Sequence, residues 1–531
     1  MSLVADIDMA KRLGVQGCTV GGLLDEWVRR VPAKPFLIWA PFSGQPEAWT
    51  YSAFDREVAA VARGLLTHGV RSGTRVMLHM DNSPEFLLAW FACVRLDAVV
   101  VTTNTRSSVD ELGYFIEKAQ PVAILTQAPF VGALRKVCGS RPLVAAPDRS
   151  DPEGRPVVET VEGAIPWRDL PREGDPLPAS AAGPMSDLAI QFTSGTTSRA
   201  KGVVWTHANA VFGAQLNARH LLIRHDDVCQ VCLPLFHTNA QSYGMLTTLW
   251  SGGTLVVQPR FSARNFWSAA VAHRATWHST IPFCVKALLQ NPVPADHRFR
   301  FWLTAVALPD VADPLLGFPT MGLWGMTETI TQGIVADPMH PGPSLSIGRA
   351  SPAYDIRIVD DEGAWIGPGG TGRLHIRGVR GVSLFKEYLD DPEATAKCFD
   401  ADGWFDTGDR IRMDVSGDLY FVDRDKDMLK VGGENVSAAE IETAILASGL
   451  VDEVAVVGQK HFMLDEVPVA FVIAKPDAPA DLAERVVLAC RERLADFKVV
   501  RGVHVVEALP RSTLEKIAKN VLRDRLPAIE A

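Results

Sequence analysis

The stretch DLAIQFTSGTTSRAKGVVWTH, residues 187–207, decides how the rest of the chain is read. Its first six residues are a largely apolar run of strand length, and GVVWTH (202–207) has the pattern of a second strand. Between them stand Ser194, Thr196, Thr197 and Ser198 with their hydroxyl donors, Gly195 and Gly202 to free the backbone, and Lys201 with its ammonium. An oligophosphate wants that set: many short N–H and O–H contacts beside a cation. The lysine precedes the second glycine and a strand follows, so this is not the G-x-x-x-x-G-K-[ST] loop that opens a helix. It reads as a phosphate-binding loop between two strands. A plain surface turn is the competing reading, and the surrounding sequence has to choose.

Toward the amino terminus, TRVMLHM (74–80), VVVTTN (99–104) and VAIL (122–125) read as strands. They alternate with helices at SPEFLLAWFACVRLDA (83–98), capped by Ser83 with Pro84 at its first position, and VDELGYFIEKAQ (109–120). Short links between such elements predict a mostly parallel sheet covered on both faces. GGTLVVQ (252–258), SARNFWSAAVAHRA (262–275) and TWHSTIP (276–282) continue the alternation. From about residue 353 the texture turns to short alternating strands with glycine turns, YDIRIVDDEGAWI and GRLHIRG, which predicts a β-rich subdomain. A charged cluster at 423–427 then precedes a new unit, where Ser437 and Glu440 predict a capping box. The expected fold is therefore a large α/β N-terminal domain, with stacked α/β subdomains plus a β-rich subdomain, and a small mobile α+β C-terminal domain. Its expected boundaries are 1–423 for the first, 424–427 for a hinge and 428–531 for the second.

Composition narrows the function. The 531 residues are 47% hydrophobic, which suits globular domains, and 531 exceeds what one core holds. The net charge of -9 argues against nucleic acid or an anionic membrane as the main partner. No apolar run is long enough to span a bilayer and the start MSLVADIDMAKRLG is not a signal peptide, so a cytoplasmic location is expected. The eight cysteines have no framework spacing, and the close pair Cys229 and Cys232 lacks a second pair or adjacent histidines for zinc. They read as buried thiols in a reducing compartment.

Seven stretches occur in a telling order: TSGTTSRAKG (193–202), LPLFHTN (233–239), LWGMTET (323–329), SIGR (346–349), GWFDTGD (403–409), DRDKDMLKVGGENVSAAEIE (423–442) and LPRSTLEKI (509–517). In this order and at these spacings the chain resembles the acyl-adenylate-forming superfamily of acyl-CoA synthetases, peptide-synthetase adenylation domains and firefly luciferase. DNSPEFLLAWF (81–91), the serine in TSGTTSR, FSARNFW (261–267) and FKEYLDDPEATAK (385–397) are most similar to crotonobetaine/carnitine-type CoA ligases. The resemblance implies an AMP-forming acyl-CoA ligase: a carboxylate and ATP give acyl-AMP and pyrophosphate, and coenzyme A then gives acyl-CoA and AMP. The carboxylate needs no general base. The obstacle is an anion attacking a polyanion, so preorganised cations and donors should carry the catalysis, each worth about 3–4 kcal/mol.

The resemblance also implies roles, residue by residue. Thr193, Ser194, Gly195, Thr196, Thr197 and Lys201 would cradle the ATP phosphates; Thr327 would contact the α-phosphate and Glu328 would associate with Mg²⁺, an ion content with one or two carboxylates plus substrate oxygens. Trp324 would stack on adenine, Asp409 would accept the ribose hydroxyls beside Arg424, and His237 would gate the acyl pocket. Lys516 would bridge carboxylate and α-phosphate as the catalytic cation. A rotation of the tail about Lys426 would withdraw it and bring Lys430, Gly432 and Gly433 to CoA. Trp277, His278 and Phe283 lie near the expected acyl pocket, either as an aromatic cage for a quaternary ammonium or as the lining of an aliphatic tunnel. For each of these residues a packed or solvated structural role is the competing reading.

Three departures stand out: Glu515 where a glycine usually precedes the lysine, Ala200 for proline in the phosphate loop, and TAVALPD (304–310) where a glycine-rich segment usually faces adenine. The alternatives are a freestanding enzyme that loads a carrier protein and an inactive nucleotide-binding homologue. Carnitine-like, short or medium aliphatic, and aryl acids stay open as substrates, and so do monomer and homodimer.

Overall fold

Parallel neighbouring strands cannot be joined by a tight turn and are linked by a longer crossover, usually a helix, and that rule organises the first half of the chain. The computed structural model describes residues 14, 17–151, 161–193, 200–360, 362–424, 428–510, 517 and 519–528. Contacts divide the chain into two units. The first comprises Met1–Thr105, Lys118–Gln191 and Gly202–Asp423; the second comprises Arg106–Glu117, Phe192–Lys201 and Arg424–Ala531.

The first unit holds an eight-stranded sheet in the order Glu387–Tyr388, Lys201–Thr206, Asp187–Thr193, Val99–Thr102, Arg75–His79, Ala123–Gln127, Leu143–Ala146, Ile165–Pro166. From Asp187–Thr193 onward through Ile165–Pro166 its neighbours are parallel, and the short Glu387–Tyr388 strand adds antiparallel to Lys201–Thr206 at the edge. The strands on either side of the hydroxyl-rich loop are thus sheet neighbours, as the sequence predicts. A second, nine-stranded sheet has a parallel centre built from Thr254–Val257, Val228–Val231, Trp277–Ser279, Phe301–Thr304 and Thr320–Trp324. The strand Pro35–Trp39 joins it parallel to Thr254–Val257, a long-range pairing that no local pattern announces. The β-rich texture after residue 353 becomes a separate four-stranded sheet of Asp355–Val359, Thr371–Arg377, Trp404–Met413 and Leu419–Arg424.

The helix Pro84–Arg95 is buried from Pro84 through Val94, which fits its apolar composition on every side. Ser83 Oγ accepts from Phe86 N at 3.1 Å and Pro84 fills the first turn, as expected of that cap. In the second unit, strands Met428–Val431, Glu434–Ser437, Val451–His461, Asp465–Ala474 and Gly502–Val505 form one sheet, covered by helices Ala438–Leu446 and Leu482–Arg493. Ser437 Oγ accepts from Glu440 N as an N-cap should. The Glu440 carboxylate accepts from the buried Lys498 Nζ at 2.8 Å, and Glu111 accepts from the same ammonium. Among the described residues no helix is long and apolar enough to cross a membrane, and Cys18, Cys93, Cys138, Cys229, Cys232, Cys284 and Cys490 are free thiols.

His79, His207 and His278 are enclosed in the first unit, and burial holds their rings down to about 3, about 4 and about 4. His278 Nδ1 donates to Gln230 O at 2.7 Å, which fixes its neutral tautomer. Because the folded values lie below the unfolded value of about 6.5, the unfolded chain takes up protons that the folded chain refuses. Stability is therefore full above about pH 6.5 and falls as the pH drops toward 4, by up to about 1.4 kcal/mol per pH unit for each ring. Urea midpoints measured from pH 7 to pH 4.5 should follow that slope, and His278→Gln should flatten it; an unchanged slope in the variant would contradict the assignment.

Candidate active site

Five of the predicted residues, His237, Trp324, Thr327, Glu328 and Asp409, lie in the first unit, Trp324 at the end of the strand Thr320–Trp324 and Asp409 within the strand Trp404–Met413. Thr327 and Glu328 sit in a single 3-10 turn, Thr327–Thr329, just past the strand Thr320–Trp324. That turn is closed by a strained bend. Ile330 takes φ 61° and ψ -41°, a left-handed conformation that a β-branched residue adopts at a cost of about 1–3 kcal/mol, and Thr331 N donates back to Thr329 O at 2.5 Å. Complete burial of Ile330 and the single Tyr354 hydroxyl proton, shared between Thr329 O and Ser383 O at 2.8 Å each, hold the bend in place.

Donors from distant elements converge on the same turn. Trp205 Nε1 donates to Thr327 O at 2.8 Å, and Phe385 N donates to Glu328 O at 2.8 Å. Thr238 Oγ1 donates to Gln191 Oε1 at 2.7 Å and lies 3.2 Å from Thr327 Oγ1, so within that pair Thr327 is the donor. Tyr388 Oη donates to Glu328 Oε1 at 2.8 Å. The sequence reading missed Thr238, Gln191, Trp205 and Tyr388 as participants. One signal was available for Gln191, a lone amide in an otherwise apolar strand; the others are visible only in three dimensions.

Half-buried His237 opens the turn into the helix Asn239–Leu246, whose ring neighbour is Phe236 at 4.7 Å. That helix is of the π type over eight residues, a rare geometry that recurs at functional sites. Beside it Cys229, Val231, Leu233, Ala240 and Gly244, with Gln230, Asn239 and Ser279 as the polar points, line a seam too tight to hold a water molecule. The Ser279 hydroxyl is buried with no hydrogen-bond partner among the described residues.

Trp324 Nε1 donates to Asp409 Oδ2 at 2.8 Å, and both side chains are buried. The aromatic plate and the acidic group expected at the nucleotide are thus one hydrogen-bonded unit, which the sequence did not suggest. Arg424 closes the strand Leu419–Arg424. In the altered 304–310 segment, Ala307 uses both backbone groups on the SIGR side: its N–H donates to Ser346 O and its C=O accepts from Leu345 N, each at 2.8 Å.

In the second unit Thr193 ends the strand Asp187–Thr193 and Lys201 begins Lys201–Thr206. Lys430 is exposed on a hairpin strand, and Gly432 and Gly433 have φ 58° and 86°. Positive φ at both central residues is what a two-residue hairpin turn demands, so these glycines have a structural duty in addition to any at CoA. Ser194, Gly195, Thr196, Thr197, Lys426 and Lys516 lie outside the described residues.

The aromatic cage does not form from Trp277 and His278. They are consecutive on one strand and face opposite sides of the sheet. Trp277 stacks with Phe301, while His278 meets Phe266 and Trp302 in a different cluster.

A buried turn with a carboxylate and a hydroxyl and a tryptophan bonded to an aspartate thus both lie in the first unit. The chain belongs to the AMP-binding enzyme family, whose pattern matches residues 24–389, with the family's C-terminal domain at 440–516. It is 34% identical over 514 residues to the crotonobetaine/carnitine–CoA ligase of Escherichia coli O139:H28, covering 92% of this chain and 96% of that one. Among solved structures it is similar to o-succinylbenzoate-CoA synthetase from Bacillus subtilis bound to a product analogue (TM-score 0.81, 26% identity, 96% and 99% coverage). It is also similar to a Mycobacterium tuberculosis fatty acyl CoA synthetase (TM-score 0.65, 28% identity, 96% and 98% coverage). Its activity is that of an AMP-forming acyl-CoA ligase, an acid–thiol ligase that uses ATP and CoA, on an α/β body with a smaller C-terminal domain.

A hydrogen bond to a charged acceptor contributes about 1.5–3 kcal/mol. A double-mutant cycle of Trp324→Phe, Asp409→Ala and the pair, read by urea unfolding, should give a coupling energy in that range. Additivity within about 0.5 kcal/mol would show that the contact carries no energy.

Proposed function

We propose that this ligase activates a small, uncharged carboxylic acid of short to medium chain. The observation that carries the reading is the lining of the seam beside the π-helix, which has apolar walls, the Gln230 and Asn239 amides, the Ser279 hydroxyl and, among the described residues, no acidic side chain. A quaternary ammonium taken out of water needs a carboxylate or an aromatic box, and the separation of Trp277 from His278 supplies no box. A carnitine- or crotonobetaine-like acid is the second reading, favoured by the 34% identity to ligases of that name.

In this reading Thr193, Ser194, Gly195, Thr196, Thr197 and Lys201 bind the ATP phosphates, and Trp324 with Asp409 and Arg424 holds the nucleoside. Thr327 redirects its proton from Thr238 to the α-phosphate as the nucleotide arrives. Glu328 is the residue that would hold Mg²⁺, and its buried single carboxylate fits an ion that takes the rest of its ligands from phosphate and water. When bound, that ion screens the phosphate charge against the incoming carboxylate. His237 borders the acyl space. Lys516 supplies the ammonium that neutralises the approach of carboxylate to α-phosphate, and movement of residues 428–531 about 424–427 then exchanges it for Lys430, Gly432 and Gly433 at CoA. A cytoplasmic location fits a consumer of ATP and CoA.

Pyrophosphate release with butyrate, hexanoate, crotonate, benzoate, carnitine and crotonobetaine, each with and without CoA, tests the substrate. The expected result is turnover of the uncharged aliphatic acids with CoA-dependent thioester; activity confined to the trimethylammonium acids would overturn the first reading in favour of the second. Lys516→Ala should lower adenylate formation by at least about 100-fold, from the roughly 3–4 kcal/mol that a placed charge supplies, while a supplied acyl-adenylate still reacts with CoA. Equal loss in both half-reactions would contradict the exchange of residues.

A further inference from the structure

The segment Phe385–Leu389 serves the sequence reading only as a mark of resemblance, yet it is bonded to two parts of the candidate site. Lys386 N donates to Val204 O at 3.0 Å and Leu389 N to Gly202 O at 2.7 Å, on the strand that leaves the phosphate loop. Phe385 N and Tyr388 Oη both donate to Glu328, the first to its carbonyl and the second to its carboxylate, each at 2.8 Å. Tyr388 is itself fixed: its N–H donates to Thr395 Oγ1 at 3.0 Å and its ring packs on Phe385 with centroids 4.7 Å apart. Tyr388 is 6% exposed and Glu328 is 5% exposed, so water does not compete for the pair.

We propose that Tyr388 is a positioning residue: its buried hydroxyl holds Oε1 of Glu328 and so sets the carboxylate in the orientation that receives a divalent cation on the nucleotide. The proposal rests on the reading of Glu328 given above. A side chain that orients a metal-binding carboxylate changes metal affinity more than it changes nucleotide affinity, which separates this role from one in packing alone.

The test is Mn²⁺ binding by electron paramagnetic resonance, in the presence of an ATP analogue with a methylene α–β bridge, on the full chain and on Tyr388→Phe, Glu328→Gln and the double variant. Calorimetry of the analogue in EDTA accompanies it. Tyr388→Phe should weaken Mn²⁺ binding by about tenfold, the lower end for loss of a ligand-orienting contact, leave analogue binding in EDTA unchanged, and add little once Glu328→Gln is present. If Glu328→Gln weakens Mn²⁺ binding and Tyr388→Phe does not, the positioning role falls and the metal reading stands. If Glu328→Gln changes nothing, the metal reading falls and takes the proposal with it. Equal weakening of the analogue with and without metal would assign Tyr388 to packing and overturn the proposal. Should Tyr388→Phe not fold, Thr395→Ala, which releases the Tyr388 N–H, must weaken Mn²⁺ binding in the same direction; no change there overturns the proposal as well.

Discussion

A carboxylate removed from water needs donors wherever it turns, and Glu328 imposes that requirement on everything around it. Its oxygen takes the Tyr388 hydroxyl, its carbonyl takes Phe385 N, and the preceding carbonyl takes the Trp205 indole. These donors come from elements nearly two hundred positions apart in the chain, and they meet only because the strand Lys201–Thr206 and the short Glu387–Tyr388 strand are sheet neighbours. The backbone is bent to deliver them. Ile330 bears the strain of that bend, and its enclosure makes relaxation more costly than the strain itself.

The same logic governs Trp324. An indole N–H in a buried position must find an acceptor, and Asp409 is the one provided. The result is that the ring plane of Trp324 and the direction of the Asp409 carboxylate are set together. Gly333 makes room for this: a Cβ there would come within 3.0 Å of the Trp324 ring.

Local signals in the sequence carried the strand–helix alternation, the Ser83 and Ser437 caps, the strands around the 194–200 loop and the late β-rich sheet, because periodicity and capping chemistry are short-range. Pro35–Trp39 entering the second sheet beside Thr254–Val257 was not legible, since the pairing closes a loop of more than two hundred residues. At the site, motif order pointed to Thr327, Glu328, Trp324, Asp409 and His237. It did not show Thr238 against Thr327 or Tyr388 against Glu328, for hydrogen bonds between loops have no spacing to read. The aromatic cage failed for a reason that was present in the sequence: Trp277 and His278 are adjacent on a strand, and adjacent strand residues point apart.

The placement of the cysteines has a consequence for the second half of the reaction. Burial pushes Cys93 and Cys284 up to about 12, Cys490 up to about 11, and Cys229 and Cys232 higher still. Thiolates are the nucleophiles of sulfur chemistry, so these five side chains remain spectators at the pH where CoA ionises appreciably. Thioester chemistry on this chain is thereby left to the CoA sulfur rather than to these five buried thiols.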